Sequence, residues 1–178
     1  MPARWQDYAM ENQKEGLRKK LQSLRPHSST GLTEQLLALV AELNPKRIAS
    51  YQPQPTEPDV SDFNQLAGQR FELVFPRVIG EDLEFAAGPA VPGEFGILAP
   101  TGPAETEIDL VLVPALAADR MGNRLGKGRG FYDRFLAGFS GVCYAVVFEE
   151  ELLDSVPVES HDRAVDGVVT PHRTIDCD

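Results

Sequence analysis

The chain has 178 residues, of which 42% are apolar and 25% charged, and it carries a formal net charge of −10 with a pI near 4.8. These values predict one soluble domain large enough to bury a core, and the acidic balance argues against a general surface for nucleic acid or for an anionic membrane. No apolar run approaches the about 20 residues that a membrane span needs, and the first residues lack the apolar core of a signal peptide, so we expect a cytoplasmic protein. The two cysteines, Cys143 and Cys177, form neither a disulfide framework nor a zinc-binding pattern.

Apolar periodicity, with proline and glycine as breakers, predicts the elements of the first half of the chain. Leu17 and Leu21 share one face of the first helix, and on another face Lys14 and Arg18 lie four residues apart, so both basic side chains can reach one place. Thr33 is the expected N-cap of the second helix. The predicted elements are helices over 8–24, 33–43 and 60–69, and strands over 47–51, 71–76 and 83–86.

The second half begins with residues 88–105, which are rich in glycine and proline and are predicted to be mainly loop. The elements predicted after it are strands over 110–113, 142–148 and 165–170 and a short helix over 131–136. Helices that alternate with apolar, β-branched strands predict a single α/β domain over 1–178 with a mainly parallel central sheet flanked by helices. Ligands of such sheets bind beyond the carboxyl ends of the strands, so we expect the loops after Tyr51, Phe75 and Val113 to converge on one cleft.

A basic, glycine-rich segment, residues 121–134, follows the strand over 110–113. From Asp119 to Arg134, five Lys and Arg residues oppose two Asp, a local balance of +3 on an acidic chain. Glycines let backbone N–H groups approach a phosphate, and a helix beginning near Gly130 adds the positive end of its dipole. The segment matches neither the Walker A pattern nor G-x-G-x-x-G, so from the residues alone a solvated surface turn stays open beside phosphate binding.

The stretch from Asn123 to Asp133 closely resembles the signature of the 5-formyltetrahydrofolate cyclo-ligases, also called 5,10-methenyltetrahydrofolate synthetases. Other landmarks of that family follow in the same order along nearly the whole chain: Lys14 with Arg18, Tyr51 to Pro58, Phe75 to Arg77, Phe95 to Ile97, and Val156 to Asp166. The resemblance implies a three-layer architecture like that of the coenzyme A transferases. It also implies ATP- and Mg²⁺-dependent conversion of 5-formyltetrahydrofolate to 5,10-methenyltetrahydrofolate, in which ATP phosphorylates the formyl oxygen, N10 attacks the activated carbon, and ADP and phosphate are released.

The resemblance further implies a role for individual residues. ATP would be bound by Lys14, Arg18, Arg124, Leu125, Gly126, Lys127, Gly128, Arg129, Gly130, Phe131 and Tyr132. Catalysis would rest on Arg124, Lys127, Arg129 and Tyr132, the folate would contact Tyr51, Glu57 and Tyr132, and Mg²⁺ would be held by Asp133, with Asp162 and Asp166 left open as further ligands. Two residues depart from the family pattern: Phe131 stands where many members have tyrosine, and Ala99 where members often have Glu or Gln.

Simpler interpretations stay open for several of these residues. Lys14 and Arg18 can form a solvated helix face, Asp133 can pair with Arg134 or a helix N-terminus, and Tyr51 can belong to the core. His161 and Asp162 are interpreted as structural or supporting residues, and Cys143 as buried core. Two other functions also stay open: a paralogue that activates a different formamide or carboxyl substrate, and a non-catalytic module that binds nucleotide or folate. We expect a monomer whose partners are small molecules, with no nucleic acid and no membrane.

Overall fold

The computed structural model describes residues 3–177, so Met1, Pro2 and Asp178 of the predicted domain lie outside the described residues. In chain order the elements are α1 (Ala3–Leu24), α2 (Leu32–Leu43), β1 (Arg47–Ala49), α3 (Ser61–Ala67), β2 (Glu72–Ile79), β3 (Asp82–Ala86), β4 (Ala90–Pro92), β5 (Leu98–Pro100), β6 (Leu110–Pro114), β7 (Ala117–Ala118), β8 (Arg124–Leu125), α4 (Phe131–Ala137), β9 (Val142–Val146), β10 (Gly167–Val169) and β11 (Thr174–Asp176). Short 3-10 turns occupy Glu94–Gly96 and Glu149–Glu151. No helix in the described range is long and apolar enough to cross a membrane.

The centre of the fold is a seven-stranded sheet with the order β11-β10-β9-β6-β1-β2-β3. The five inner strands are parallel, and each edge is closed by one antiparallel strand, β11 or β3. The predicted α/β class with a mainly parallel sheet is therefore confirmed. The chain passes from β1 to β2 on one side and later places β6 on the other side of β1, which makes the carboxyl ends of β1 and β6 the point where strand order reverses. Ligand sites of open parallel sheets lie at this point.

Strand β6 shows why the sheet needs a helical layer on both faces. Its side chains alternate, so that Leu110 and Leu112 pack with α2 and α3, while Val111 and Val113 pack with α4 on the opposite face. Every one of these four side chains is buried, as the uninterrupted apolar run predicts. Outside these layers, Leu21 of α1 packs against the segment that follows β6 through a third, smaller apolar cluster.

The sequence prediction of the α2 N-cap is wrong, and several short strands were not predicted. Helix α2 begins at Leu32 and its N-cap is Gly31 with φ 97°, so the prediction of Thr33 as the cap is wrong. A side chain at residue 31 would also meet the Pro171 carbonyl oxygen at 2.4 Å. The predicted loop over 88–105 contains the antiparallel hairpin β4–β5, and the carboxy-terminal edge strand β11 was missed. All three residues of β4 are exposed and each hairpin strand has only three residues, so the sequence shows no apolar alternation there.

Candidate active site

A cavity of about 350 Å³ lies at the carboxyl ends of the strands on either side of the order reversal. Tyr51, just after β1, and Val113 and Pro114, at the end of β6, form part of its wall. Convergence of the loops after β1 and β6 is thus confirmed. The prediction of a loop directly after Phe75 is wrong, because β2 continues through Phe75 to Ile79. The strand residues Pro76 and Val78 line the cavity in its place.

The glycine-rich segment forms one side of this cavity, and its backbone depends on glycine. It enters through the hairpin β7–β8 and leaves through α4, whose N-cap is Gly130 with φ 70°; Gly128 has φ 97°. Both values lie in the left-handed region that other L residues rarely adopt. Helix α1 supports the segment, since Arg18 Nε donates to the Gly126 carbonyl at 3.1 Å and the Arg18 guanidinium is 3.5 Å from where a Cβ of residue 128 would lie.

Arg124 and Asp133, which lie near the two ends of this segment, form an ion pair. Arg124 Nη2 donates to Asp133 Oδ1 at 2.8 Å, and its Nη1 donates to the Arg163 carbonyl at 2.6 Å. Arg124 is nearly buried, so the carboxylate balances a charge that has left water. The alternative pairing of Asp133 with Arg134 is wrong, because the Arg134 guanidinium donates to the carbonyls of Glu81 and Arg129.

Lys14 reaches the cavity from α1 and is only 3% exposed, which excludes the interpretation of this position as a solvated helix face. Its ammonium donates to Glu159 and Asp162, both at 2.5 Å. Burial opposes ionisation of Asp162, but the hydrogen bonds from Lys14 and the Glu159 backbone outweigh it and lower the Asp162 pKa. For Lys14, burial again opposes the charge, and the bonds to both carboxylates raise its pKa above the ordinary value.

The Lys14 partners belong to a group that offers metal-ligand atoms. One ligand atom each of Glu159, His161 and Asp162 lies within 4.8 Å of the others, and all three residues line the cavity. The other acid left open as a metal ligand, Asp166, lies elsewhere: its carboxylate accepts the backbone N–H of Cys143 at 2.8 Å, and it does not line the cavity. Cys143 is buried, as predicted.

The folate side predicted from the resemblance starts at Tyr51 and Glu57. The Tyr51 ring is buried in the core and its hydroxyl donates to the Pro58 carbonyl at 2.8 Å, while the residue also borders the cavity. Burial, followed by the nearby Glu57 charge, raises the Tyr51 pKa well above its ordinary value. Glu57 uses both carboxylate oxygens: Oε2 accepts the Gln54 backbone N–H at 2.9 Å, and Oε1 accepts the Lys127 ammonium at 2.6 Å.

Tyr132 has the least satisfied polar group of the cavity wall. Its hydroxyl oxygen is buried and forms no hydrogen bond with any group of residues 3–177. Burial, together with the negative charge of Glu57, raises the Tyr132 pKa, so the hydroxyl keeps its proton at neutral pH and can donate. A buried hydroxyl without a protein partner at the wall of a cavity is suited to binding an acceptor atom of a ligand.

The cavity lining also contains Phe95 and Gln54, two residues to which the sequence analysis assigned no role. Phe95, at the tip of the β4–β5 hairpin, has φ 57°, and the Arg129 guanidinium carbon lies 3.6 Å from the centroid of its ring. Gln54 donates from Nε2 to the Phe95 carbonyl at 3.0 Å, and its Oε1 accepts from Lys127 at 2.9 Å. Gln54 lies within the recognised segment from Tyr51 to Pro58, but no local pattern distinguished it.

The two residues that depart from the family pattern lie in different places. Phe131 borders the cavity and packs against Phe95, with 5.9 Å between ring centroids. Ala99 lies on β5 beside Gly93 and does not line the cavity.

Sequence comparisons with known proteins all indicate the same family. A model of the 5-formyltetrahydrofolate cyclo-ligase family matches residues 10–171. A curated 5-formyltetrahydrofolate cyclo-ligase of Mycolicibacterium smegmatis is 50% identical over 99 residues, which are 52% of this chain and 51% of that protein. The protein of the same description from Mus musculus is 37% identical over 68 residues, which are 35% of this chain and 34% of that protein. The matched part of the chain thus spans about half, or less, of the length of these relatives.

Solved structures resemble the chain over most of its length. The 5,10-methenyltetrahydrofolate synthetase of Aquifex aeolicus superposes with a TM-score of 0.79 at 28% identity, covering 92% of both chains. The 5,10-methenyltetrahydrofolate synthetase of Mycoplasma pneumoniae has a TM-score of 0.72 at 22% identity, covers 88% of this chain and 97% of its own, and supports the fold alone.

Proposed function

The chain belongs to the 5-formyltetrahydrofolate cyclo-ligase family, and from this membership we propose that it converts 5-formyltetrahydrofolate to 5,10-methenyltetrahydrofolate with ATP as co-substrate. The observation that carries the proposal is one cavity that joins a glycine-rich basic segment to a protonated, unpartnered hydroxyl and a buried carboxylate. The first suits phosphates, and the other two suit a polar heterocycle with acceptor and donor atoms.

In the proposed first step the formyl oxygen of the folate attacks the γ-phosphorus of ATP, an O–P bond forms, and the bond to ADP breaks. Such a transfer asks mainly for positioning and for stabilisation of negative charge. Arg124, Lys127 and Arg129 supply positive charge beside the glycine backbone, and the guanidinium groups can bind phosphate oxygens through two parallel hydrogen bonds. The support of Gly126 by Arg18 fixes the segment before ATP arrives.

In the proposed second step N10 attacks the phosphorylated formyl carbon and closes the five-membered ring. The C–O bond to phosphate then breaks, phosphate leaves with the electron pair, and N10 loses its proton. No covalent bond to the protein is required. We assign Tyr132 to donate its hydroxyl hydrogen to the folate near the reacting carbon, and Glu57 to accept from N–H groups of the pterin. Tyr51, whose hydroxyl already donates to Pro58, would contribute its ring edge.

The carboxylates at the phosphate end fit Mg²⁺, which prefers hard oxygen ligands. Asp133 and Asp162 line the same cavity, and the backbone N–H of Arg163 is 3.4 Å from Asp133 Oδ1, which places the two acids on adjoining segments. We propose that Asp133 holds the ion and that Asp162 assists. Bound Mg²⁺ would neutralise charge on the transferring phosphate. Each carboxylate is held now by a cation, Arg124 or Lys14, so the phosphates would have to draw these cations away.

The decisive experiment mixes purified protein with 5-formyltetrahydrofolate, ATP and Mg²⁺ and follows the methenyl product by absorbance. ATP-dependent product is the expected result, and its absence would remove the proposed reaction. ATP hydrolysis with another formamide would favour the paralogue, and binding of both ligands without turnover would favour the non-catalytic module. Ala99, the departure that motivates a different substrate, does not line the cavity, so we rank the paralogue second.

The metal assignment is tested by Asp133→Asn. Asparagine keeps an acceptor oxygen for Arg124 but loses the negative charge that balances this buried guanidinium, so turnover should fall by about tenfold or more and the free energy of unfolding should also fall. Asp62→Asn, at an exposed position of α3, is the matched control. Rates like those of the unchanged protein at limiting Mg²⁺ would refute a metal role for Asp133. A cytoplasmic location and a monomeric state remain predictions. Analytical ultracentrifugation would measure the mass of the protein in solution and so test the monomeric state.

A further inference from the structure

The wall of the cavity is neutral as a whole, in spite of the basic segment. It contains five cationic side chains, Lys14, Arg18, Arg124, Lys127 and Arg129, and five carboxylates, Glu11, Glu57, Asp133, Glu159 and Asp162. Four of the cations are paired with carboxylates of this set, and the fifth, Arg129, lies on the Phe95 ring. An anion that binds any of the four paired cations therefore competes with a carboxylate of the cavity wall.

Lys127 is the cation whose partner matters most for the second substrate. Its ammonium donates to Glu57 at 2.6 Å and to the Gln54 side-chain oxygen at 2.9 Å. Glu57 is 9% exposed and its other oxygen is already bound by the Gln54 backbone N–H, so little of this carboxylate is left for a ligand. Lys127, which belongs to the segment that we propose binds phosphate, thus occupies the Glu57 carboxylate that we assign to the pterin.

The Lys127 side chain has room to move away from Glu57. It is 40% exposed and lies between Gly126 and Gly128, and a Cβ at residue 126 would meet no atom of a non-adjacent residue within 4 Å. Phosphates bound along the same segment offer the ammonium several oxygens in place of Glu57.

We propose that Lys127 couples the two substrates, so that nucleotide and folate each bind more tightly when the other is present; this inference rests on the proposed function of the cavity. Without nucleotide, the folate competes with the Lys127 ammonium for Glu57. With nucleotide, the ammonium binds phosphate and Glu57 accepts from the pterin. Because binding free energies are linked, the same factor must strengthen nucleotide binding when folate is present.

The experiment measures the dissociation constant of 5-formyltetrahydrofolate by calorimetry, with and without a saturating, non-hydrolysable ATP analogue and Mg²⁺. The expected coupling in the unchanged protein is a tightening of about fivefold or more. Lys127→Met removes the competing ammonium, so folate should bind more tightly than in the unchanged protein when nucleotide is absent, and the analogue should no longer alter the constant. Lys127→Arg should restore coupling, and Lys19→Met, at an exposed site of α1, should leave it intact.

The outcomes separate this inference from the proposed function. A protein that binds neither ligand would contradict both. Turnover with the same folate dissociation constant in the presence and absence of the analogue would overturn the coupling alone. Undiminished coupling in Lys127→Met would overturn the role of Lys127. Should this variant fail to fold, Glu57→Gln removes the same ion pair from the other side and should also abolish coupling, whereas coupling that persists there overturns the proposal.

Discussion

Replacing Tyr132 with phenylalanine should make the ligand-free protein more stable and its binding of folate weaker. The ring of Tyr132 packs near Phe85, with 6.4 Å between centroids, and phenylalanine would keep this packing. What the change removes is a buried hydroxyl that has no hydrogen-bond partner within residues 3–177. The same hydroxyl is the group that we assign to an acceptor atom of the folate.

The size of both effects follows from the cost of an unsatisfied buried hydroxyl. Such a group costs about 1–3 kcal/mol, and the lower value is appropriate at a cavity wall. For a protein of this length, about 1 kcal/mol corresponds to a rise of about 2–4 °C in the melting temperature. The lost hydrogen bond to the folate, worth about 0.5–1.5 kcal/mol, should raise the dissociation constant by about 2- to 12-fold.

Thermal unfolding of the ligand-free protein and calorimetric titration with 5-formyltetrahydrofolate measure the two effects independently. Tyr8→Phe is the matched control, because Tyr8 is 66% exposed on α1 and its hydroxyl gains nothing from a ligand in the cavity. A melting temperature of Tyr132→Phe that is unchanged or lower would show that the hydroxyl is satisfied without ligand. An unchanged dissociation constant would show that it does not contact the folate.

Two further predictions concern ion pairs. Glu151→Ala should lower the free energy of unfolding by about 3–5 kcal/mol, because the almost fully buried Arg25 charge, paired with Glu151 at 2.6 Å, would lose its counter-charge. Chemical denaturation measures this loss, with the exposed neighbour Glu150→Ala as the control. A loss below about 1 kcal/mol would contradict the prediction. Asp162→Asn should lower the free energy of unfolding at pH 7, because an acid with a depressed pKa stabilises the fold while it is ionised. This loss should shrink as the pH falls below 3.8, the ordinary aspartate pKa, toward the lowered pKa of Asp162. Denaturation of both proteins from pH 7 to 3 tests this, and a difference in free energy of unfolding that stays constant would contradict it.

The parts of the fold that the sequence predicted correctly are those with a strong local signal. The apolar run at 110–114 produced the central strand β6, and the spacing of Leu17 and Leu21 produced α1. The hairpin β4–β5 and the strand β11 were missed because short, exposed strands carry little apolar alternation. Their pairing depends on backbone hydrogen bonds to a partner strand, which no local pattern encodes.

The candidate site divides in the same way. Glycines at residues 126, 128 and 130 and the two basic residues that alternate with them are properties of a continuous segment, so the sequence by itself determined the phosphate-binding prediction and the family. Only the tertiary structure decided what each charge touches. Lys14 and Glu159 are 145 residues apart in the chain, and Lys127 and Glu57 are 70 apart, yet each pair forms a direct hydrogen bond. Such contacts form only where α1 and distant loops meet in the folded chain, and for that reason the neutral, internally paired cavity could be recognised only in the folded protein.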